Sequence, residues 1–186
     1  MIRTKHTIGV FVGAQFGHLE AFHEAAAAMG KGIADHDWAL VYGGSKGGLM
    51  GEVAEHAINA GAHVTGIRPT SLLPEEASDN MKMEHIDVPD MDTRKRMMFD
   101  RADAFVFLPG GMGTLEELGQ VMSWTKLGYY EKPIVLVNVD GYWDDMVAWF
   151  ETAIEAEFVT REGLSRLALI PTVDETFKYL EGEFGE

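Results

Sequence analysis

The side chains best suited to chemistry lie in one stretch, residues 93–119 (TRKRMMFDRADAFVFLPGGMGTLEELG). It begins with a predicted basic helix that carries Arg94 and continues with a short apolar strand, Ala104–Leu108. The strand ends in the turn 109–114 (PGGMGT), which opens a second predicted helix with Glu117 in its first turn. An acid and a guanidinium on either side of a glycine turn indicate a site that binds and cuts a nucleotide-like phosphate ester.

The turn 109–114 has the features of an anion site. Glycines let backbone N–H groups come close to a ligand, and the first N–H groups of a helix have no partners within the helix. Such turns lie at the carboxyl ends of the strands in open α/β sheets, where ligands bind. A second glycine loop, residues 43–51 (GGSKGGLMG), follows the predicted strand Trp38–Tyr42. Either loop alone is typical of a tight strand-to-helix turn, but two on one sheet edge can hold one phosphate and one sugar.

The acids at the start of the second helix have two interpretations. Glu117 is three residues after Thr114, so both lie on one helix face. A first-turn acid is commonly a structural complement to the helix dipole. The same dipole favours an ionised carboxylate, which is suited to stabilising a positive centre or orienting a water molecule. We expect Glu117 to have this chemical role and Glu116 to be the structural acid.

The basic cluster also has a structural alternative, a solvated helix face with an ion pair between Arg96 and Asp100. The chain has 15 Lys and Arg residues against 30 Asp and Glu residues, a formal net charge of −15. Four of the 15 cations lie between Arg94 and Arg101, so positive charge is concentrated in one place. The overall acidity argues against general nucleic-acid binding and against binding to an anionic membrane.

The rest of the composition excludes several kinds of site. The chain of 186 residues has no cysteine, so we expect neither a disulfide framework nor a cysteine metal site. Its 7 histidines form no recognisable ligand set, and we expect no metal and no cofactor. No apolar run is long enough to span a bilayer, and the first residues lack the features of a signal peptide. A cytoplasmic location is therefore expected.

Strands and helices alternate along the chain, and nearly continuous apolar strands predict a parallel sheet covered on both faces. The predicted strands are His6–Val12, Trp38–Tyr42, Val64–Ile67, Lys82–Val88, Ala104–Leu108, Pro133–Asn138 and Leu167–Ile170. Helices are predicted at Leu19–Asp35, from the second glycine loop to Ala60, in the basic segment, and at Thr114–Leu127, Trp143–Glu157 and Asp174–Leu180, the last with Asp174 as N-cap. Residues 68–80 are predicted to form a loop or lid. The expected fold is α/β: a single Rossmann-like domain, residues 1–186, with a doubly wound, mostly parallel sheet.

Three motifs together resemble the LOG (LONELY GUY) family, the cytokinin riboside 5′-monophosphate phosphoribohydrolases. They are the loop 43–51, the segment 94–98 (RKRMM) and the segment 109–117 (PGGMGTLEE). The family signature is PGGxGTxxE preceded by an R-K-x-x-M helix, and the resemblance runs from about Ile8 to Leu180. It implies a Rossmann-like homodimer that hydrolyses the N-glycosidic bond of a nucleoside 5′-monophosphate, either AMP or a cytokinin riboside 5′-monophosphate. The products are a free base and ribose 5-phosphate.

The resemblance also implies which residues form the site. Arg94 and Glu117 match the catalytic pair of the family. The residues that match its substrate- and phosphate-binding positions are Lys95, Gly110, Gly111, Gly113 and Thr114 and, in the other glycine loop, Gly43, Gly44, Gly47, Gly48 and Met50. The candidate contact surfaces of the homodimer are the Trp143–Phe158 face and the Met97-Met98 helix. Ordinary burial of both against the sheet of the monomer is the alternative.

Two other functions fit parts of the sequence. A carrier or sensor of a phosphorylated ligand, like related molybdenum-cofactor carriers, shares such glycine loops, but simple binding does not require the Arg94–Glu117 pair. An NAD(P) protein is disfavoured because Ser45 interrupts the G-x-G-x-x-G pattern. Many relatives carry the label lysine decarboxylase, but the chain has no recognisable pyridoxal-phosphate lysine motif.

The chain departs from the family pattern at three places. Val12-Gly13-Ala14-Gln15 replaces the usual Cys-Gly-Ser-Ser after the first strand. Ser45 stands where a third glycine is common, and Arg68 interrupts the usual apolar-Pro step. These changes leave the catalytic pair intact and bear on the base preference.

Overall fold

The computed structural model describes residues 4–71 and 81–186, which form a seven-stranded parallel sheet with helices on both faces. The strands are β1 (Thr7–Phe11), β2 (Ala39–Tyr42), β3 (His63–Pro69), β4 (Glu84–Val88), β5 (Ala104–Phe107), β6 (Ile134–Val137) and β7 (Leu167–Ile170). Their order is β4-β3-β2-β1-β5-β6-β7, and every neighbouring pair is parallel. The doubly wound α/β architecture predicted from the alternating pattern is therefore confirmed.

The helices fill the connections between the strands. They are α1 (Glu20–Asp35), α2 (Gly48–Asn59), α3 (Met91–Arg101), α4 (Met112–Lys126), α5 (Asp144–Glu155) and α6 (Val173–Phe184). Two short 3₁₀ turns, Val139–Gly141 and Glu162–Leu164, precede α5 and β7. In the two described ranges, no helix has the length and apolar character needed to cross a bilayer.

The start of α4 differs from the prediction. The helix begins at Met112 rather than at Thr114, with Gly111 as its N-cap. Glu116 and Glu117 therefore lie in the second turn, and the first turn contains no acid. The predicted first-turn position of the two acids is wrong, so the helix dipole acts on them less strongly than expected, since its effect falls off within one turn.

The start of α6 also differs from the prediction. Its N-cap is Thr172, whose backbone is extended and whose hydroxyl accepts the N–H of Glu175 at 3.2 Å. The predicted cap, Asp174, is instead an acid of the first turn. A hydroxyl at the capping position satisfies one of the N–H groups that the helix itself cannot pair.

Part of the predicted loop or lid belongs to the sheet. Arg68 and Pro69 end β3 and pair with Asp87 and Val88 of β4. The Nε atom of Arg68 donates to Oδ1 of Asp87 at 2.5 Å, which links β3 to the edge strand β4. Residues 72–80 of the predicted lid lie outside the described residues, and the lid stays a prediction.

Two apolar layers cover the sheet, one on each face. Side chains alternate along a strand, so β5 contributes Val106 to the layer under α1, α2 and α6. It contributes Phe105 and Phe107 to the layer under α3 and α4. In that second layer Phe107 stacks on Phe11 of β1 with ring centroids 4.7 Å apart. Burial of each such side chain stabilises the fold by roughly 1.5–3 kcal/mol.

The winding of the sheet reverses between β1 and β5. Strands β2 to β4 lie on one side of β1, and β5 to β7 lie on the other. The carboxyl ends of β1 and β5 are adjacent, with Phe11 opposite Phe107. The segments that follow these two strands diverge, and such a switch point is where open α/β sheets bind ligands.

Candidate active site

A cavity of about 400 Å³ opens at the switch point. Its walls come from the segments after β1, β5 and β6 and from the helices α1 to α4. The lining residues are Val12, Gly13, Ala14, Gln15, Phe16, Gly17, Phe22, Leu49, Met50, Arg94, Pro109, Gly110, Gly111, Met112, Gly113, Thr114, Glu117 and Tyr142. Within residues 4–71 and 81–186, no group of three or more His, Asp or Glu side chains is placed to hold a metal ion.

Arg94 reaches the cavity from α3. The helix begins next to the N-cap Asp90, whose carboxylate accepts the N–H of Thr93 at 2.7 Å. The side chain of Arg94 is only 10% exposed, and its Nε atom donates to the carbonyl of Ile67 at 3.1 Å. This bond fixes the guanidinium beside the end of β3, and its Nη1 atom also donates to Sδ of Met91 at 3.9 Å.

The carboxylate of Glu117 faces that guanidinium. Nη1 of Arg94 and Oε1 of Glu117 are 3.6 Å apart, which is an ion pair and too long for a hydrogen bond. The side chain of Glu117 is 11% exposed, and no described residue donates a hydrogen bond to it. Buried carboxylates normally accept hydrogen bonds from their surroundings. The oxygens of Glu117 are therefore available to a ligand or to a water molecule in the cavity.

Burial raises the pKa of Glu117 from the usual 4.5 to about 7. The positive charges of Arg94 and Lys95 oppose this rise, and the charge of Glu116 adds to it. Burial lowers the pKa of Arg94, against the attraction of Glu117 and Glu116, but a guanidinium stays charged near neutral pH. The helix dipole contributes less to the ionisation of Glu117 than expected, because the residue lies beyond the first turn of α4, and burial raises its pKa instead. Near neutral pH the carboxyl group of Glu117 is therefore partly protonated and partly ionised, and it lies beside the charged guanidinium of Arg94.

The glycine turn after β5 is packed against the segment after β1. The N–H of Gly13 donates to the carbonyl of Pro109 at 3.0 Å. A side chain on Gly110 would overlap the hydroxyl of Thr114 and lie 2.9 Å from the nitrogen of Gly13, so only glycine fits there. Neither the N–H of Gly111 nor the hydroxyl of Thr114 has a hydrogen-bond partner among the described residues. The turn thus presents unpaired donors at a helix N-terminus, as anion sites do.

The second glycine loop supports the cavity from behind. Met50 lines the cavity. In the described structure the lining does not include the other predicted residues of this loop, which are Gly43, Gly44, Gly47 and Gly48. Gly48 has φ +57°, and a side chain there would overlap the backbone of Ala14. The N–H of Met50 donates to the carbonyl of Gly13 at 3.3 Å. These contacts hold the segment after β1 in place, and direct contact of the four glycines with a substrate stays a prediction.

Lys95 turns from the cavity towards Glu116. Its Nζ atom is 2.5 Å from Oε1 of Glu116 and 3.3 Å from Oδ1 of Asp92. Burial works to lower the pKa of Lys95, but the two carboxylates outweigh it and the pKa is raised. Helices α3 and α4 are thus joined by two adjacent ion pairs, Arg94–Glu117 facing the cavity and Lys95–Glu116 beside it. Glu116 therefore pairs with Lys95 instead of complementing the helix dipole from the first turn, and contact of Lys95 with a substrate stays a prediction.

The structural alternative for the basic cluster is not observed. Arg96 and Asp100 form no ion pair with each other in the described part of the chain. Asp100 instead accepts the hydroxyl of Tyr130 at 2.8 Å, and the guanidinium of Arg96 lies 5.6 Å from the ring centre of Trp124. The cations of α3 therefore have separate surroundings rather than forming one solvated face.

The sequence interpretation missed the aromatic part of the lining, which consists of Phe16, Phe22 and Tyr142. The hydroxyl of Tyr142 donates to the carbonyl of Gly110 at 2.5 Å. Its ring meets Phe22 edge-on with centroids 5.6 Å apart. The topology alone could have indicated these segments, because the carboxyl ends of all parallel strands meet at one edge of a sheet. The segments after β1 and β6 were therefore candidates as much as the two glycine loops.

The departures from the family pattern lie in different surroundings. Ala14 and Gln15 line the cavity. The buried hydroxyl of Ser45 accepts the N–H of Gly47 at 3.1 Å inside the second glycine loop, and Arg68 pairs with Asp87 in the sheet. Only the change after β1 therefore alters the cavity wall.

The sheet places the chain in the class of Rossmann-like α/β proteins, with a cavity at the carboxyl edge of the strands. The molybdenum cofactor binding protein from Rippkaea orientalis shares the fold, with a TM-score of 0.74, 20% identity and 99% of each chain covered. The molybdenum cofactor carrier protein from Chlamydomonas reinhardtii has a TM-score of 0.74 and 24% identity over 99% of this chain and 100% of its own. At these identities the likeness shows the fold alone.

Comparison of sequences gives the family. The model of the family described as "Possible lysine decarboxylase" matches residues 50–180. Probable cytokinin riboside 5′-monophosphate phosphoribohydrolase LOGL6 of Oryza sativa subsp. japonica is 40% identical over 94% of this chain and 70% of its own. Probable cytokinin riboside 5′-monophosphate phosphoribohydrolase LOG4 of the same plant is 44% identical over 82% and 66%. Cytokinin riboside 5′-monophosphate phosphoribohydrolase LOG3 of Arabidopsis thaliana is 39% identical over 94% and 81%. The chain belongs to the LOG family, as its three motifs predicted, and spans between 66% and 81% of the length of these relatives.

Proposed function

We propose that this protein hydrolyses the N-glycosidic bond of a nucleoside 5′-monophosphate, a cytokinin riboside 5′-monophosphate or AMP, to a free base and ribose 5-phosphate. The observation that carries the proposal is the surroundings of Glu117. Its carboxylate is buried, lines the cavity, accepts no hydrogen bond from a described residue and lies 3.6 Å from Arg94. Burial of a carboxylate without a hydrogen-bond donor costs stability, which favours a chemical role for Glu117 over a purely structural one.

The two charged groups suit the charges that develop during cleavage of a glycosidic bond. The sugar acquires positive charge at C1′ in an oxocarbenium-like transition state, while the electrons of the breaking bond move to the base. We assign the stabilisation of the sugar, and the orientation of the attacking water, to Glu117. We assign the stabilisation of negative charge on the leaving base, or on the phosphate, to Arg94. Water adds its oxygen to C1′, and its proton ends on the carboxylate or on the departing base.

The glycine turn suits the 5′-phosphate of such a substrate. The N–H of Gly111 and the hydroxyl of Thr114 are unpaired donors at the start of α4. Binding of the remote phosphate there holds the substrate with C1′ near Glu117, and the energy of this binding lowers KM and so raises kcat/KM. A nucleoside without phosphate is therefore expected to be a poorer substrate than its 5′-monophosphate.

The test is release of base and of ribose 5-phosphate, measured by chromatography for N6-substituted AMP, AMP, GMP and CMP. The wild type is compared with Glu117→Gln, which keeps the shape of the side chain and removes its charge. We expect kcat to fall by about 10²–10⁴-fold. The neighbouring substitution Glu116→Gln is the matched control and retains most of the activity. Equal release by wild type and Glu117→Gln, or no release by either, contradicts the proposal.

The carrier alternative has weaker support. The three phosphoribohydrolases described above are 39–44% identical to this chain, whereas the two molybdenum cofactor proteins are 20–24% identical. Mere binding of a phosphorylated ligand also does not require the buried Arg94–Glu117 pair that lines the cavity. Tight binding of a nucleotide without release of base supports the carrier instead.

We propose further that the protein is a homodimer in the cytoplasm. The dimer is supported by exposed aromatic side chains on and just after α5, Trp149 at 57% and Phe158 at 80% exposure. Substitution of both by serine is expected to convert a dimer to a monomer in light scattering after size exclusion. A wild-type protein that elutes as a monomer at micromolar concentration contradicts the dimer.

A further inference from the structure

Tyr142 connects two segments of the cavity wall that are distant in sequence. Its hydroxyl donates to the carbonyl of Gly110 at 2.5 Å, across a separation of 32 residues. Both residues line the cavity, Tyr142 from the segment after β6 and Gly110 from the glycine turn after β5. In the described residues, this is the one side-chain hydrogen bond made to the backbone of the turn 109–114.

This hydrogen bond fixes the direction of a neighbouring N–H group. In a trans peptide the carbonyl oxygen and the following N–H point in opposite directions. Holding the carbonyl of Gly110 therefore also holds the N–H of Gly111, the N-cap of α4, which has no acceptor among the described residues. A peptide between two glycines rotates easily because neither residue has a side chain to restrict it. Rotation would turn the carbonyl, rather than the N–H, towards an anionic ligand and repel it.

The hydroxyl of Tyr142 is itself held in a defined place. The preceding residues Asp140 and Gly141 have φ +52° and +73° and turn the chain sharply. The side chain of Asn138 accepts the N–H of Trp143 and donates to Asp144, both at 2.8 Å. These bonds join the end of β6 to the start of α5 around the tyrosine.

The ring of Tyr142 is restrained as well. It meets Phe22 edge-on at 5.6 Å and Trp143 edge-on at 5.0 Å between centroids. The carbonyl that precedes Gly110, that of Pro109, is held separately by the N–H of Gly13 at 3.0 Å. Two successive carbonyls of the turn are thus fixed by donors from two other segments.

We propose that Tyr142 is a positioning residue of this site: its hydroxyl holds the Gly110–Gly111 peptide so that the N–H of Gly111 can bind the phosphate of a phosphorylated sugar. This inference rests on the proposed function only in taking the glycine turn as the phosphate site. The residue acts on binding of the phosphate and not on the chemistry at Glu117. Loss of the hydroxyl therefore weakens binding of phosphorylated ligands and leaves the chemical step nearly unchanged.

The test compares Tyr142→Phe with the matched control Tyr129→Phe. Tyr129 is 70% exposed, and its hydroxyl forms no hydrogen bond in the described structure. For a nucleoside 5′-monophosphate we expect Tyr142→Phe to raise KM by about five- to twentyfold with kcat nearly unchanged. The kcat/KM for the nucleoside without phosphate stays at the wild-type value. Equal KM values for Tyr142→Phe and Tyr129→Phe, or an equal loss with the nucleoside, overturn the inference.

A second readout separates this inference from the proposed function. Ribose 5-phosphate and inorganic phosphate are titrated into each protein by calorimetry, which requires no turnover. We expect Tyr142→Phe to bind ribose 5-phosphate more weakly than wild type by the same factor of about five to twenty. If no protein releases base but this difference is found, the proposed hydrolysis fails and the role of Tyr142 stands. If wild type and Tyr142→Phe bind ribose 5-phosphate equally, or wild type does not bind it, the role of Tyr142 is contradicted.

Discussion

The guanidinium of Arg94 occupies the space that a side chain on Gly43 would need. A Cβ atom on Gly43 would overlap Nη2 of Arg94 and lie 2.8 Å from Cζ. Gly43 follows β2, whereas Arg94 belongs to α3. Because glycine has no side chain, the end of the strand leaves space for the guanidinium from this helix. Gly43 therefore contributes to the site indirectly, because the absence of a side chain there allows Arg94 to take its position.

Gly43→Ala is expected to displace the guanidinium and lower kcat/KM by about 10²-fold, because a shift of about 1 Å in a reacting group has effects of that size. Base release from the best nucleotide substrate is the measurement. The matched control is Gly119→Ala on the exposed face of α4, where a Cβ meets no atom within 4 Å. That variant keeps its activity and gains about 0.5–1 kcal/mol of stability. Wild-type activity in Gly43→Ala would show that Arg94 can act from another position.

The pH dependence of catalysis is expected to follow the carboxyl of Glu117. The proposed role requires the ionised form, and the pKa of the group is raised to about 7 by burial. The kcat/KM therefore rises with pH, with its midpoint near pH 7, and levels off about one pH unit above that midpoint. Glu116 contributes to the raised pKa, so Glu116→Gln moves the midpoint to lower pH. If wild type and Glu116→Gln have the same midpoint in kcat/KM, the titrating group is not Glu117 but another group, such as the phosphate of the substrate.

The same pKa predicts how stability changes with pH. The native protein binds this proton more tightly than the unfolded chain, so the free energy of unfolding falls as pH rises from about 4.5 to about 7. Glu117→Gln cannot ionise and avoids this loss. The free energy of unfolding of the variant minus that of wild type is expected to increase by about 1–3 kcal/mol from pH 5 to pH 8 in urea titrations. A difference between the two proteins that is constant over this range means that Glu117 has an ordinary pKa when folded.

Lys95 is expected to stabilise the contact between α3 and α4 rather than to bind substrate. Lys95→Met keeps the length of the buried chain and removes its charge, which leaves Glu116 without its partner at 2.5 Å. We expect a loss of about 1 kcal/mol in unfolding titrations, since Glu116 is well exposed, with KM nearly unchanged. A double-mutant cycle with Glu116→Gln isolates the pair. A tenfold or greater rise in KM without a loss of stability would restore the substrate contact predicted from the family pattern.

Thr172 is expected to matter more than Asp174 for the start of α6. Thr172→Ala removes the hydroxyl that accepts the N–H of Glu175 at 3.2 Å. The expected loss is about 1 kcal/mol. Asp174→Ala removes only an exposed first-turn charge, with an expected loss of about 0.3–0.5 kcal/mol. Thermal unfolding of the two variants in parallel distinguishes them, and a larger effect at Asp174 contradicts the assigned cap.

The sequence by itself determined the sheet and the chemical types at the site. Nearly continuous apolar runs such as 104–108 can be buried on both faces only in a covered parallel sheet, so the architecture followed from local composition. The turn 109–114 and the residues Arg94 and Glu117 were recognisable for a similar reason. Their types and spacing are local properties of the chain.

Only the tertiary structure decided how these groups behave. The raised pKa of Glu117 arises from burial among segments distant in sequence, and local pattern predicted the ionised form instead. Tyr142 meets Gly110 because the sheet order places the segments after β5 and β6 side by side, 32 residues apart along the chain. Gly43 makes room for Arg94 for the same reason. Desolvation and exclusion of volume depend on all the atoms around a group, and those neighbours are set by the winding of the strands.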